Sequence, residues 1–191
     1  MKKIILTSIL SISTALFSPS VLAHFHYELP ITSTLQANAK HQLKAIKMSW
    51  IYDDEVSEMM LQDQKDVKKL GDKLINDLDK LGYFTFLKLN GKSLETSKVE
   101  LFKLEEIKFD GYSKLKLTFT LPLKTPVSLQ GNNTLNIRHE DGTASAIIYY
   151  DKPSYLSIDN NLNSNCKADI REKKDFEEGE SPQDVKVVCK V

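Results

Sequence analysis

The sequence predicts an α+β fold: an antiparallel, strand-rich, sandwich-like domain with one helical insertion. Three observations predict it. Short runs alternate apolar and polar residues, most cleanly Leu115, Leu117, Phe119 and Leu121, as half-buried strands do. Asn90-Gly91, Asp110-Gly111 and Asp141-Gly142 are dipeptides that two-residue hairpin turns favour. One stretch, Gln64 to Leu81, changes to helical spacing, with Val67, Leu70, Leu74, Ile75, Leu78 and Leu81 forming one apolar stripe. A single sheet covered by that helix is the alternative arrangement.

The N-terminal element is a leader. Lys2 and Lys3 supply a short positive region, Ile4 to Phe17 is mostly apolar and uncharged, and Ser18-Pro19-Ser20 breaks the run. Val21-Leu22-Ala23 then presents compact residues to a signal peptidase. Residues 1–23 are therefore expected to be a signal peptide, and 24–191 a single exported domain. The leader has no lipobox cysteine, which points to the periplasm rather than a lipid anchor.

From Tyr27 a strand is expected, with Tyr27, Leu29 and Ile31 on one face. Leu43 to Tyr52 is a stronger one, carrying Ile46, Met48 and Trp50 together before an abrupt acidic trio, Asp53-Asp54-Glu55. His41 lies in the turn ahead of that strand and has the setting of an exposed structural residue. Val56 to Leu61 and Gln64 to Leu81 are helical, ended by Gly82. Strands follow over Tyr83–Leu89, Val99–Phe109 and Tyr112–Leu121. Pro122, Pro126 and Gly131-Asn132-Asn133 loosen the chain before Thr134–His139. A last hairpin through Asp141-Gly142 is expected to bring Thr134–His139 against Ala146–Tyr150. Segments 159–165 and 172–184 are polar enough to be mobile loops. Cys166 and Cys189 are the only cysteines, and in an oxidising compartment they are expected to close a disulfide that stabilises by about 3 kcal/mol. A two-cysteine metal site is the rival reading, without a C-x-x-C spacing or a nearby histidine to favour it.

Composition excludes several classes. Lys plus Arg equals Asp plus Glu at 26 each, and loss of the leader takes Lys2 and Lys3, leaving a charge of about −2. No basic field invites nucleic acid or an anionic membrane. After the leader, no uncharged run approaches the roughly 20 apolar residues that span a bilayer. His-Glu-x-x-His, Gly-x-Ser-x-Gly, a phosphate loop and the dinucleotide glycine pattern are all missing, so a non-enzymatic protein is expected.

The chemistry concentrates at the leader's end. Cleavage after Ala23 makes His24 the first residue and His26 the third, placing two of the four histidines beside a free α-amino group. A terminal amine titrates near ~7.7–8.0 and imidazole near ~6.5, so both release a proton cheaply at neutral pH. Amine and His24 ring chelate one ion, and His26 joins through either nitrogen. Zinc requires a tetrahedral set completed from elsewhere in the fold. Copper or nickel, as divalent ions, suit the square of nitrogens that a third-position histidine offers. His139-Glu140-Asp141 is the only other stretch joining a histidine to carboxylates, which makes His139 and Asp141 candidate ligands; a satisfied structural histidine is the competing reading. Asp53, Asp54 and Glu55 form a second candidate wall, against the plainer view of a solvated turn. Two further readings stand beside zinc: a copper protein or oxidative copper enzyme built on the terminal histidine, and a structural domain in which His24 and His26 bind nothing.

A family resemblance rests on specific motifs. The leader ending in His24-Phe25-His26, the strand ending Trp50-Ile51-Tyr52-Asp53-Asp54, the helix running into Leu81-Gly82-Tyr83-Phe84-Thr85, then Leu89-Asn90-Gly91-Lys92 and Leu117-Thr118-Phe119-Thr120-Leu121-Pro122-Leu123, resemble the domain-of-unknown-function 1007 family of periplasmic proteins. The likeness spans His24 to about Tyr150. It implies a periplasmic, ZevA-type zinc-binding component of a zinc (or nickel/cobalt) transport system, partnered by a membrane permease of the nickel/cobalt transporter kind. Three departures stand out. Leu61 to Gly71 lacks the family's Asp/Asn/Gly-rich loop, and Asp141-Gly142-Thr143-Ala144-Ser145 replaces an Asp-Pro-Thr-Tyr-Tyr pattern. Phe25 stands where the family often has proline, freeing a backbone N–H that copper or nickel coordination can use.

Overall fold

The computed structural model describes residues 27–162 and 165–190. The expected leader and the candidate ligands His24 and His26 lie outside the described residues. In chain order the elements are β1 (Tyr27–Ala37), β2 (Gln42–Ile51), α1 (Asp54–Asp63), α2 (Val67–Lys80), β3 (Thr85–Leu89), β4 (Lys92–Leu94), β5 (Phe102–Phe109), β6 (Tyr112–Ser128), β7 (Asn133–His139), β8 (Ala146–Tyr149), β9 (Leu156–Ile158), β10 (Lys167–Glu172) and β11 (Gln183–Cys189). One sheet has the order β5-β6-β2-β1-β8, with β9 also on β1; the other has β10-β11-β7-β3-β4. The class is α+β as predicted, with both helices inserted between β2 and β3.

Alternation puts one face of each sheet into a shared core. Met48, Trp50, Leu117, Phe119 and Leu121 come from the first sheet, and Leu87, Leu135, Ile137, Val185 and Val187 from the second. Thr85 Oγ1 reaches Met48 Sδ across the gap at 3.7 Å. In β2 the buried positions run Leu43, Ala45, then Ile46, Met48 and Trp50. A register shift against β6 between Leu43 and Ala45 resets the alternation there, as a bulge does. Opposite that shift, β6 continues beyond Leu121 to Ser128, through the prolines expected to end it. Proline has no N–H to give a ladder. The chain gains other partners instead: Ser97 N donates to Pro122 O, and Lys124 N to Glu95 O.

The helices begin where capping chemistry allows. Asp53 Oδ1 accepts from Val56 N at 2.7 Å, so the first residue of the acidic trio is the N-cap of α1, and Asp54 and Glu55 occupy its first turn, where the helix dipole favours them. Asp66 caps α2. The α2 stripe is buried at Leu70, Ile75 and Leu78, whereas Leu81, the C-cap, is 40% exposed. Gly71 lies so close to β5 that an added Cβ would stand 3.1 Å from Leu104 Cβ.

Three consecutive residues then take left-handed backbone: Gly82 at φ +61, Tyr83 at +53 and Phe84 at +50. This displaces the start of β3 from the expected Tyr83 to Thr85. Left-handed backbone costs a non-glycine residue about 1–2 kcal/mol. Tyr83 offsets this by donating its hydroxyl to Asp79 while accepting from Val99 N, and Phe84 stacks on Trp50 with ring centroids 6.2 Å apart. The bond to Tyr83 also holds Val99 out of the ladder, so β5 starts at Phe102 rather than Val99.

The expected final hairpin is corrected. β7 pairs with β3 and β11 in one sheet, while β8 runs parallel to β1 in the other, Tyr27 opposite Ala146. The Asp141-Gly142 segment therefore carries the chain between sheets. Gly142 lacks the positive φ that a two-residue hairpin turn requires, and Ala144 takes it instead, at +56. Asn90-Gly91 and Asp110-Gly111 do join adjacent antiparallel strands, β3–β4 and β5–β6.

Cys166 and Cys189 are disulfide-bonded, linking the start of β10 to the end of β11. The segment 172–184, expected to be a mobile loop, is anchored at its end: Ser181, Pro182 and Gln183 are buried, while 175–178 stay exposed. The Gln183 amide accepts from Tyr150 N and donates to Tyr150 O, both at 2.9 Å. Gly179 packs against the Asp141 loop, at φ +82, where a Cβ would stand 2.4 Å from Asp141 O. Gly179→Ala is thus expected to cost about 3 kcal/mol from backbone strain and overpacking together. Urea denaturation measures it, and a loss under about 0.5 kcal/mol would mean that the two segments do not constrain each other.

Candidate functional site

The chain enters the fold at a defined corner. Tyr27 N donates to Ser145 O at 3.0 Å, and the Tyr27 ring lies against Tyr52 with centroids 6.2 Å apart. Its phenol is pushed up to about 12, first by burial and then by the negative charges of Asp141 and Asp53. Tyr27 therefore sits where the end of β2 meets the loop after β7.

Asp53 is half-buried, with Oδ1 committed to the α1 cap, while Asp54 and Glu55 are exposed. Asp141 is buried, and both its oxygens have donors. Oδ1 accepts from Thr143 N at 2.9 Å and Thr143 Oγ1 at 2.6 Å; Oδ2 accepts from Ser145 N at 3.1 Å and Ala146 N at 2.9 Å. Its evident work is to shape the crossover between sheets.

His139 is buried in a polar chain that joins the sheets. Nδ1 lies 3.2 Å from Thr85 Oγ1, and Nε2 lies 3.0 Å from the Tyr150 hydroxyl, which also meets Ser33 Oγ. One proton arrangement satisfies every member. Thr85 donates to Tyr83 O and so accepts from Nδ1–H; Tyr150 donates to a bare Nε2 and accepts from Ser33. The ring is neutral in this arrangement, and burial pushes its pKa down to about 4. Coordination of a metal by His139 would require breaking one of these contacts. The fourth histidine, His41, is exposed at φ +57 in the β1–β2 turn, with Nδ1 2.8 Å from Asn161 O.

Among the described residues, no group of three or more His, Cys, Asp or Glu is arranged to hold a metal ion. His139 and Asp141 spend their ring nitrogens and carboxylate oxygens on the hydrogen bonds above, and the disulfide occupies both cysteine sulfurs. Sequence reasoning missed the Ser33–Tyr150–His139–Thr85 chain. One signal for it was present: Ser33 falls at an inward position between Ile31 and Leu35. Nothing local marked Tyr150 as its partner, 117 residues away.

The profile of the family described as "Protein of unknown function (DUF1007)" matches residues 9–185. No curated protein matches the chain.

Proposed function

This chain belongs to the DUF1007 family, and we propose that it is a periplasmic, non-enzymatic metal-binding protein whose mature N-terminus holds zinc for a membrane permease of the nickel/cobalt transporter kind. The ligands are the α-amino group and ring of His24 together with the ring of His26. One observation carries the reading. Tyr27, one peptide bond from His26, is fixed at a corner where Asp53 and Asp141 impose enough negative charge to contribute to raising its phenol. A cation held close to those carboxylates would gain from their charge. His139 and Asp141 are left out of the ligand set because their nitrogens and oxygens are already engaged.

Calorimetric titration of the protein starting at His24 tests the proposal. One zinc per chain is expected, with binding that weakens as pH falls through ~6.5, because a protonated imidazole has no lone pair to give. Replacing His24 and His26 with alanine should abolish binding and leave the metal-free stability nearly unchanged, since the site is terminal. A residue added ahead of His24 should hurt about as much, by displacing the amine. Unchanged zinc affinity in the double variant would place the site elsewhere. Tighter binding of copper(II) or nickel(II), dependent on the Phe25 amide, would reassign the metal.

A further inference from the structure

We propose that the cleft between α1 and the tip of the β5–β6 hairpin docks an extended cationic segment of a partner protein. The cleft encloses about 840 Å³. One wall is the acidic side of α1, where Asp54, Glu55 and Glu58 line the space. The other is a pair of rings at the hairpin tip: Phe109 and Tyr112 stack with centroids 4.8 Å apart and planes 11° from parallel. These rings are 46% and 45% exposed, so they add little to the core. Large rings left in water at a hairpin tip, beside a groove, are placed for contact with something outside the chain.

Charge selects the occupant. Two lysines also line the cleft. Lys108 lies 4.0 Å from Glu106, which also accepts from Ser113 Oγ at 2.8 Å, so this pair is nearly neutral to a visitor. Lys65 then faces the three carboxylates of α1, whose last turn carries no basic residue, and Lys114 lies 5.9 Å from the Tyr112 ring centroid, which leaves the Phe109 face as the one for a visiting cation. The excess is negative. An arginine side chain meets both walls at once, its guanidinium pairing with carboxylates and its planar face lying on an aromatic ring. Spacing narrows the choice further. Asp54 and Glu58 stand one helical turn apart, about 6 Å along the axis, close to the ~6.7 Å between alternate residues of an extended peptide. The segment that fits has arginine or lysine at every second position, with apolar residues between them for Phe109 and Tyr112.

This proposal does not depend on the zinc reading, and its test is run with chelator present. The probe is the capped peptide acetyl-Arg-Leu-Arg-Leu-Arg-amide, titrated into isotopically labelled protein and followed by amide chemical shifts. Shifts are expected over residues 54–62 and 106–113, with affinity falling roughly fivefold between 50 and 300 mM salt. Glu55→Lys with Glu58→Lys should weaken binding about tenfold or more, and Phe109→Ser with Tyr112→Ser should do the same at unchanged charge. Glu58→Gln, a milder change on the exposed face of α1, should give a smaller loss in the same direction. The proposal is overturned if no shifts appear in the cleft, or if they persist through the charge reversal. It is equally overturned if neutral cellohexaose produces the same shifts independently of salt, which would make the ring pair a saccharide platform.

Discussion

Asp141→Ala is expected to lower the unfolding free energy by about 4 kcal/mol while weakening zinc binding only severalfold, as loss of a nearby charge that is not a ligand does. The carboxylate accepts four hydrogen bonds, three of them from the backbone N–H groups of Thr143, Ser145 and Ala146. Its removal leaves those donors facing a small void. A buried N–H without a partner costs about 1–3 kcal/mol, and water can reach Thr143 and Ser145, so the total is less than three full penalties. Asp141→Asn keeps the shape but turns an NH2 toward donors, and should cost about half as much. The paired readout separates a structural role from a ligand role. Loss of stability with zinc binding weakened only severalfold fits the proposed ligand set. Intact stability with a tenfold loss of affinity would return Asp141 to the metal site.

What could be read from the chain was local, and what could not was the joining of distant segments. The alternation of Leu115, Leu117, Phe119 and Leu121 is sufficient to define the inner face of β6, because a strand's side chains repeat every two residues whatever it pairs with. Asn90-Gly91 and Asp110-Gly111 build their hairpins from their own backbone. Asp141-Gly142 carries the same dipeptide signal and does something else. Its outcome is decided by Gly179, which packs on it from far along the chain, and by Tyr27, which takes Ser145 O into the β1 contact. The acidic trio likewise looked like a ligand wall or a solvated turn, and its first member is a helix cap. That role becomes visible once α1 is seen to begin at Asp54 rather than Val56. For His139, the alternation Leu135, Ile137, His139 already pointed the ring inward. Its partners Thr85 and Tyr150 come from other elements, and no periodicity encodes them.

That buried ring carries the second large prediction, a loss of stability on mild acidification. The folded pKa of His139 is lowered from 6.5 to about 4 by burial, against a backbone hydrogen bond at Phe84 that raises it, and Thr85 and Tyr150 beside its two nitrogens are uncharged. Between those two pH values the unfolded chain binds a proton that the folded chain does not, so stability rises with pH across the window. The contribution is fully present above about pH 6.5 and is lost progressively as pH falls toward 4. The whole drop is worth about 3 kcal/mol. Carboxylates held low by lysine partners act in a different range. Asp63, Asp77, Glu95 and Glu105 have depressed values from hydrogen bonds to Lys73, Lys80, Lys124 and Lys103, and their exposed pairs are lost only as pH falls below the ordinary carboxylate range. Denaturant midpoints measured from pH 7.5 to 4 on metal-free protein should therefore fall mostly within the imidazole window. His139→Asn keeps a donor for Thr85 and removes the titrating ring, so it should be less stable at pH 7.5 yet show a much flatter profile down to pH 4. Identical slopes for the variant and the parent chain would assign the acid lability to other groups and leave His139 a neutral spacer between the sheets.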